Sequence, residues 1–256
     1  MASPLNIEQL LSARVKDIET SGIRRAWSLA QACEDPINLS IGQPDFLVPD
    51  PIKQAAIDAI FADKNGYTQT AGDAVLLDSI HKRLHSQFGW EFDDSAHHAS
   101  MVTSGTAGAL TLAFLAVLGP GDEVIIPDPY FVIYPTLARI ADAKAVLCDT
   151  YPDFRMTAER IEPCITDKTK VVLLNSPANP TGVVLTESEV KDIASLCKDR
   201  GILLITDEIY DEFVFPPTKY ASPASFHKDV LVIRGYGKTY GCTGWRMGDA
   251  AGPKPL

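Results

Sequence analysis

Six short apolar runs recur along the chain: MVTS (101–104), EVIIP (123–127), AVLC (145–148), VVLLN (171–175), ILLIT (202–206) and LVIRG (231–235). Their apolar character is continuous rather than alternating, as expected of strands covered on both faces in a parallel sheet. MGDAAGP (247–253) reads as a further strand, one that lacks neighbours and leaves an open sheet edge. The clearest helix opens at Thr186-Glu-Ser-Glu189, the spacing of a capping box, and stops at Gly201, a natural C-cap. Two more regions, about 50–62 and 73–88, also read as helices. Strands separated by helices predict the α/β class, a mostly parallel sheet flanked by helices. Residues 1–45 lack this alternation and read as an N-terminal arm or a segment of a second, smaller domain; residues 46–256 read as one large domain.

Composition narrows the function classes. A chain of 256 residues that is 46% hydrophobic can bury a substantial core. A net charge of −10 opposes broad contact with nucleic acid or an anionic membrane. It leaves room for a local positive pocket that takes a small anion. The five cysteines are odd in number and form no CxxC pair, which points to buried free thiols in a reducing compartment. The N-terminus shows no apolar signal segment, and the longest nearly apolar stretch, Ala107 to Leu118, is too short to span a bilayer. The expectation is a soluble cytoplasmic protein.

Candidate chemistry gathers where the strands end. Gly237-Lys238-Thr239 supplies the second half of a nucleotide phosphate loop, but the first glycine of that loop would fall at Val232, inside an apolar run. The dinucleotide fingerprint G-x-G-x-x-G is absent as well. Ser104-Gly-Thr-Ala-Gly108 is a small-residue turn opening a helix, a ready anion site. Asn179-Pro-Thr-Gly182 reads as a rigid turn, and Asp207 as an acid that needs a partner at the end of a buried strand or caps a helix after it. His97-His98 reads as part of a polar loop without metal-ligand spacing.

Seven segments stand in one order: NLSIGQPDF (38–46), GYTQTAG (66–72), VTSGTAGAL (102–110), GDEVIIPDPYF (121–131), NSPANPTG (175–182), ITDEIYDEF (205–213) and GKTYGCTGWRMG (237–248). Together they resemble the class I/II aminotransferases among the fold-type I pyridoxal-phosphate enzymes. The resemblance implies pyridoxal 5′-phosphate as cofactor, and as substrates an L-amino acid and a 2-oxo acid. It implies that Lys238 forms the Schiff base with the cofactor and then moves a proton at the substrate α-carbon. By the same resemblance Asp207 pairs with the pyridine nitrogen, Asn179 and Tyr210 hold the 3′-oxygen, and Phe131 stacks on the ring. Arg246 and the backbone of Gly105, Thr106 and Ala107 would hold the phosphate. Tyr67 would reach the phosphate of a neighbouring subunit, which implies a homodimer with shared sites. Gly42 would lie in a loop that approaches the substrate.

Two departures qualify that picture. Many family members carry a phosphate-binding serine where this chain has Gly235, a loss of about 1 kcal/mol for one neutral hydrogen bond. The sequence stops at GDAAGPKPL, where family members continue through the rest of the large domain and a C-terminal small domain bearing the arginine for the substrate carboxylate. The expectation is that this chain alone is poorly stable and little active. Another fold-type I reaction, such as C–S lysis, and an inactive cofactor-binding fragment are the alternatives.

Overall fold

The computed structural model describes residues 5–16, 18, 22–37 and 42–256, so residues 38–41 of the NLSIGQPDF segment lie outside the described residues. Short helices α1 (Ile7–Leu10), α2 (Ala13–Lys16) and α3 (Gly22–Ala30) come first, then α4 (Asp50–Phe61) and α5 (Ala74–Phe88). The remainder alternates strand and helix: β1 (His98–Thr103), α6 (Gly105–Val117), β2 (Glu123–Asp128), α7 (Ile133–Ile140), β3 (Lys144–Asp149), α8 (Ala158–Ile161), β4 (Thr169–Asn175), α9 (Glu187–Arg200), β5 (Leu203–Asp207), β6 (Val230–Gly235), α10 (Tyr236–Thr239) and β7 (Gly248–Pro253). Among the described residues the strands form one sheet in the order β1-β7-β6-β5-β4-β2-β3.

The four central apolar runs become strands because both of their faces are buried, whereas β1 and β3 at the sheet edges are only partly covered. Ile125, Val172, Leu174, Leu204 and Val232 pack on one side against Ile80 and Leu84 of α5 and Val190 and Ile193 of α9. Their chain neighbours Val124, Ile126, Val171, Leu173, Ile205 and Ile233 pack on the other side against α6 and α7. The period of two along a strand makes this division. It also sends Asp207 to the α6/α7 side, and Glu208 and Arg234 to the α5 side.

Two readings need correction. The strand at 248–253 is not an open edge: β7 pairs antiparallel with β6 on one side and β1 on the other. Strand β1 starts at His98, inside the stretch read as a polar loop. Its imidazole stacks on Trp90 at 3.9 Å and donates Nε2–H to the Lys228 carbonyl at 3.0 Å. A histidine satisfied in this way can enter a sheet.

The capping box stands as read. Thr186 Oγ1 accepts from the Glu189 amide, Glu189 Oε2 accepts from the Thr186 amide at 2.7 Å, and Gly201 closes the helix in the left-handed region. Thr186→Ala is expected to cost about 1 kcal/mol, read as a lower urea midpoint with an unchanged slope.

Candidate active site

Beyond the C-terminal ends of the parallel strands lies a pocket of about 390 Å³. Ligands of open α/β sheets bind at this edge, where strand ends and loops leave a crevice. One end of the pocket is built to take an anion. Helix α6 opens at Gly105 without a side-chain cap from Ser104, so the free N–H groups of its first turn face the pocket. Gly105 has φ +67°, and a Cβ on it would lie 2.7 Å from Arg246 Nη2. The arginine therefore lies across the bare Cα. Arg246 is itself in the left-handed region at φ 55°, and its Nη1 donates to the Thr243 carbonyl at 3.0 Å. That uncommon conformation turns the guanidinium back over the α6 turn. Gly105→Ala is expected to weaken phosphate binding to the apoprotein at least tenfold by calorimetry, because the new methyl expels Arg246 and occupies a strained φ.

The pocket also holds a buried acid. Asp207 ends β5 and is 2% exposed. Its Oδ2 accepts the Tyr134 hydroxyl at 2.9 Å, and its Oδ1 accepts the Ile209 amide at 3.3 Å. Burial pushes the carboxyl up to about 6 against the pull of those bonds, and the neighbouring charge of Glu208 adds to the rise. The chain after Asp207 is turn rather than helix, so the acid is not a helix cap.

Asn175 Nδ2 donates to the Asp207 carbonyl at 2.9 Å, and its Oδ1 accepts the Asn179 amide at 2.7 Å. One side chain thus ties the ends of β4 and β5 to the Asn-Pro-Thr-Gly turn. Asn179 and Tyr210 both line the pocket; burial raises the proton affinity of the Tyr210 phenol, and the Asn179 side chain lowers it.

Lys238 follows β6 on the short helix α10 and lines the same pocket. Its Nζ donates to the Gly42 carbonyl and lies 5.9 Å from the centre of the Tyr210 ring. Partial burial pulls its ammonium below the ordinary lysine value, and the charge of Arg246 pulls it further. A lysine shifted in this direction is more often a free amine near neutral pH.

The pocket therefore brings together ten of the residues singled out in the sequence: Gly42, Gly105, Thr106, Ala107, Phe131, Asn179, Asp207, Tyr210, Lys238 and Arg246. Tyr67 is not among its lining; it stands fully exposed on the loop between α4 and α5. Sequence reasoning missed Tyr134 and Asn175. Tyr134 lies three residues after Phe131 and is 1% exposed; a buried tyrosine needs a partner for its hydroxyl, but nothing local in the sequence marks this one as buried. Gly235 also gains a reason, since a Cβ there would lie 2.3 Å from Ile209 Cδ1 and 3.0 Å from Thr106 Cγ2. Ile209 fills the space a serine would use.

Comparison with known proteins identifies the family and the fold. The family model for aminotransferase class I and II matches residues 34–256. The chain is 38% identical over 251 residues to the probable N-acetyl-LL-diaminopimelate aminotransferase of Bacillus subtilis, covering 98% of this chain and 63% of that protein. It is 36% identical over 239 residues to the probable aspartate aminotransferase of Methanocaldococcus jannaschii, covering 93% of this chain and 62% of that one. The solved aspartate aminotransferase of Thermus thermophilus with maleate superposes with a TM-score of 0.89 at 33% identity, covering 96% of this chain and 65% of the other. The chain thus spans a little under two thirds of the length of these relatives. With a matching family model over most of its residues and the same fold, the chain belongs to the class I and II aminotransferases.

Proposed function

We propose that this chain is the cofactor-binding part of an enzyme that moves an amino group between an L-amino acid and a 2-oxo acid. Members of the family use pyridoxal phosphate, and the donor set of the pocket suits that group. The uncapped first turn of α6 and the Arg246 fork offer N–H donors to a phosphate. In the same pocket a buried carboxyl stands ready for a protonated ring nitrogen, and Asn179 with Tyr210 for a phenolic oxygen. Bound there, pyridoxal phosphate supplies an aldehyde and a ring that withdraws electrons from the substrate α-carbon.

The roles of the side chains follow from their chemistry. Lys238 would hold the cofactor covalently, and afterwards its Nζ would carry a proton to and from the substrate α-carbon. Its depressed proton affinity suits both tasks. Asp207 would face a cationic ring nitrogen, and that charge would turn a carboxyl that burial keeps part-protonated into a carboxylate. Tyr134 orients it, and Phe131 would cover the ring. Gly42 would meet the substrate beside Lys238. The full exposure of Tyr67 supports a contribution to the site of a second copy, hence a homodimer with shared sites.

The single observation that carries this reading is the convergence of lysine, buried acid and anion cradle in one pocket. Half-reactions test it. Protein extended by a relative's C-terminal region and reconstituted with pyridoxal phosphate should convert bound cofactor to its pyridoxamine form on adding an amino donor, releasing one 2-oxo acid per site. Acidic, aromatic and aliphatic donors tried singly would rank the substrate class. Product release without the pyridoxamine form, as in C–S lysis, would overturn the transfer reading.

A further inference from the structure

Behind the pocket, on the α5 side of the sheet, lies a buried ionic cluster. The side chains of Glu208 and Arg234 are 0% and 3% exposed, with Arg234 Nη2 and Nε each 3.0 Å from Glu208 Oε2. Arg234 Nη1 donates to Gln87 Oε1 at 2.6 Å, and Ser222 Oγ donates to Glu208 Oε1. Asp211 stands 3.7 Å from Arg234 Nε and accepts from Arg83 Nη2 at 2.6 Å. On the next strand Asp249 accepts the Tyr236 hydroxyl at 2.6 Å. A buried ion pair of this kind returns little net stability after desolvation, so its place in the fold matters more than its strength.

That place is shared with the reacting groups. Glu208 follows Asp207 directly, and Arg234 precedes Gly235, four residues before Lys238. The Glu208 amide donates to the Ile233 carbonyl at 2.8 Å, so the pair clasps the ends of the two strands that bear the acid and the lysine. We infer that Glu208, clamped by Arg234, is a positioning residue that adjusts the protonation of Asp207 from the opposite face of the sheet. The groups facing Asp207 are Tyr134 and Tyr210, with Lys238 and Arg246 in the same pocket. Those facing Glu208 are Arg234, Tyr220 and Asp211, with Arg83, Glu212 and Asp249 beyond them. Glu208, next to Asp207 in the chain, is a buried carboxylate whose charge raises the acid's proton affinity in the same direction as burial, by less than burial does.

The importance of Asp207 to turnover rests on the proposed function; its adjustment by Glu208 does not, and the apoprotein measures it. Aspartate labelled with 13C at the side-chain carboxyl is followed by NMR across pH, with the Asp207 signal assigned by its loss in Asp207→Asn. Glu208→Gln should lower the Asp207 midpoint by at least about 0.5 pH unit, and Glu208→Asp should restore most of it. Glu162→Gln, which breaks the surface pair with Arg200, should leave it unchanged. Glu208→Gln combined with Arg234→Gln leaves no unpaired buried charge and should shift the midpoint the same way by less. A wild-type midpoint in a cooperatively folded Glu208→Gln protein overturns the inference. So does an equal fall in Glu208→Asp, which would mean water entry, and so does collapse of both neutralised proteins, which would make the pair mere scaffold.

Discussion

Borohydride reduction of protein reconstituted with pyridoxal phosphate is expected to fix a phosphopyridoxyl group on Lys238, and Lys238→Ala to take up none. Only a primary amine can join the aldehyde, and it must shed its proton to do so. Burial and the charge of Arg246 pull Lys238 in that direction, whereas exposed lysines stay protonated. The substitution leaves Arg246, the α6 turn and Asp207 in place, so reversible cofactor binding should survive with an affinity loss of roughly ten- to a hundredfold. Turnover of the extended enzyme should fall by about 10³-fold or more, because covalent capture and proton transfer are lost together. Peptide mapping of the reduced protein is the decisive measurement. Label on another lysine, or an undiminished yield from Lys238→Ala, would remove Lys238 from the role.

The strands were legible because each central one is sandwiched, so its sequence needs no alternation: Val171 and Val172 sit on opposite faces and both are fully buried. Helix α9 was legible down to its caps, since Thr186, Glu189 and Gly201 act on backbone within a few residues of themselves. The pairing of β7 was not. One partner, β1, lies far off in sequence, and the small residues of GDAAGP say nothing of what borders them. The site residues fall along the same division. Lys238, Asp207 and the α6 turn were legible through local motif and family resemblance. Tyr134 and Asn175 act only by reaching across from α7 to β5 and from β4 to β5. No local pattern marks a side chain whose task is to hold another. The Glu208–Arg234 pair escaped for the same reason, lying one residue from Asp207 yet on the other face of the sheet.

Asp207→Asn should move stability and turnover in opposite directions. Asparagine keeps an oxygen to accept the Tyr134 hydroxyl and cannot ionise. In the folded apoprotein the carboxyl titrates near 6, above its ordinary value of 3.8, because burial disfavours its charge. The folded state therefore binds more protons than the unfolded chain between those values, and stability falls as pH rises through that window. Above it the native acid is a stability cost of up to about 3 kcal/mol, from roughly two pH units at 1.36 kcal/mol each. Apo Asp207→Asn should accordingly unfold at higher urea than the native protein at pH 8, with the gap closing below about pH 4. With cofactor bound the acid's charge would face a cationic ring, so the same change should lower turnover of the extended enzyme by about 10²-fold or more while weakening cofactor binding less. A residue kept at a cost to the resting fold and needed when charge develops is expected at a working site. Urea titrations of the apoproteins at pH 4 and 8, with kcat and cofactor Kd of the holoenzymes, check both halves. Equal stability at pH 8 would mean that Asp207 is not the buried acid described, and unchanged kcat would mean that it does not serve the ring.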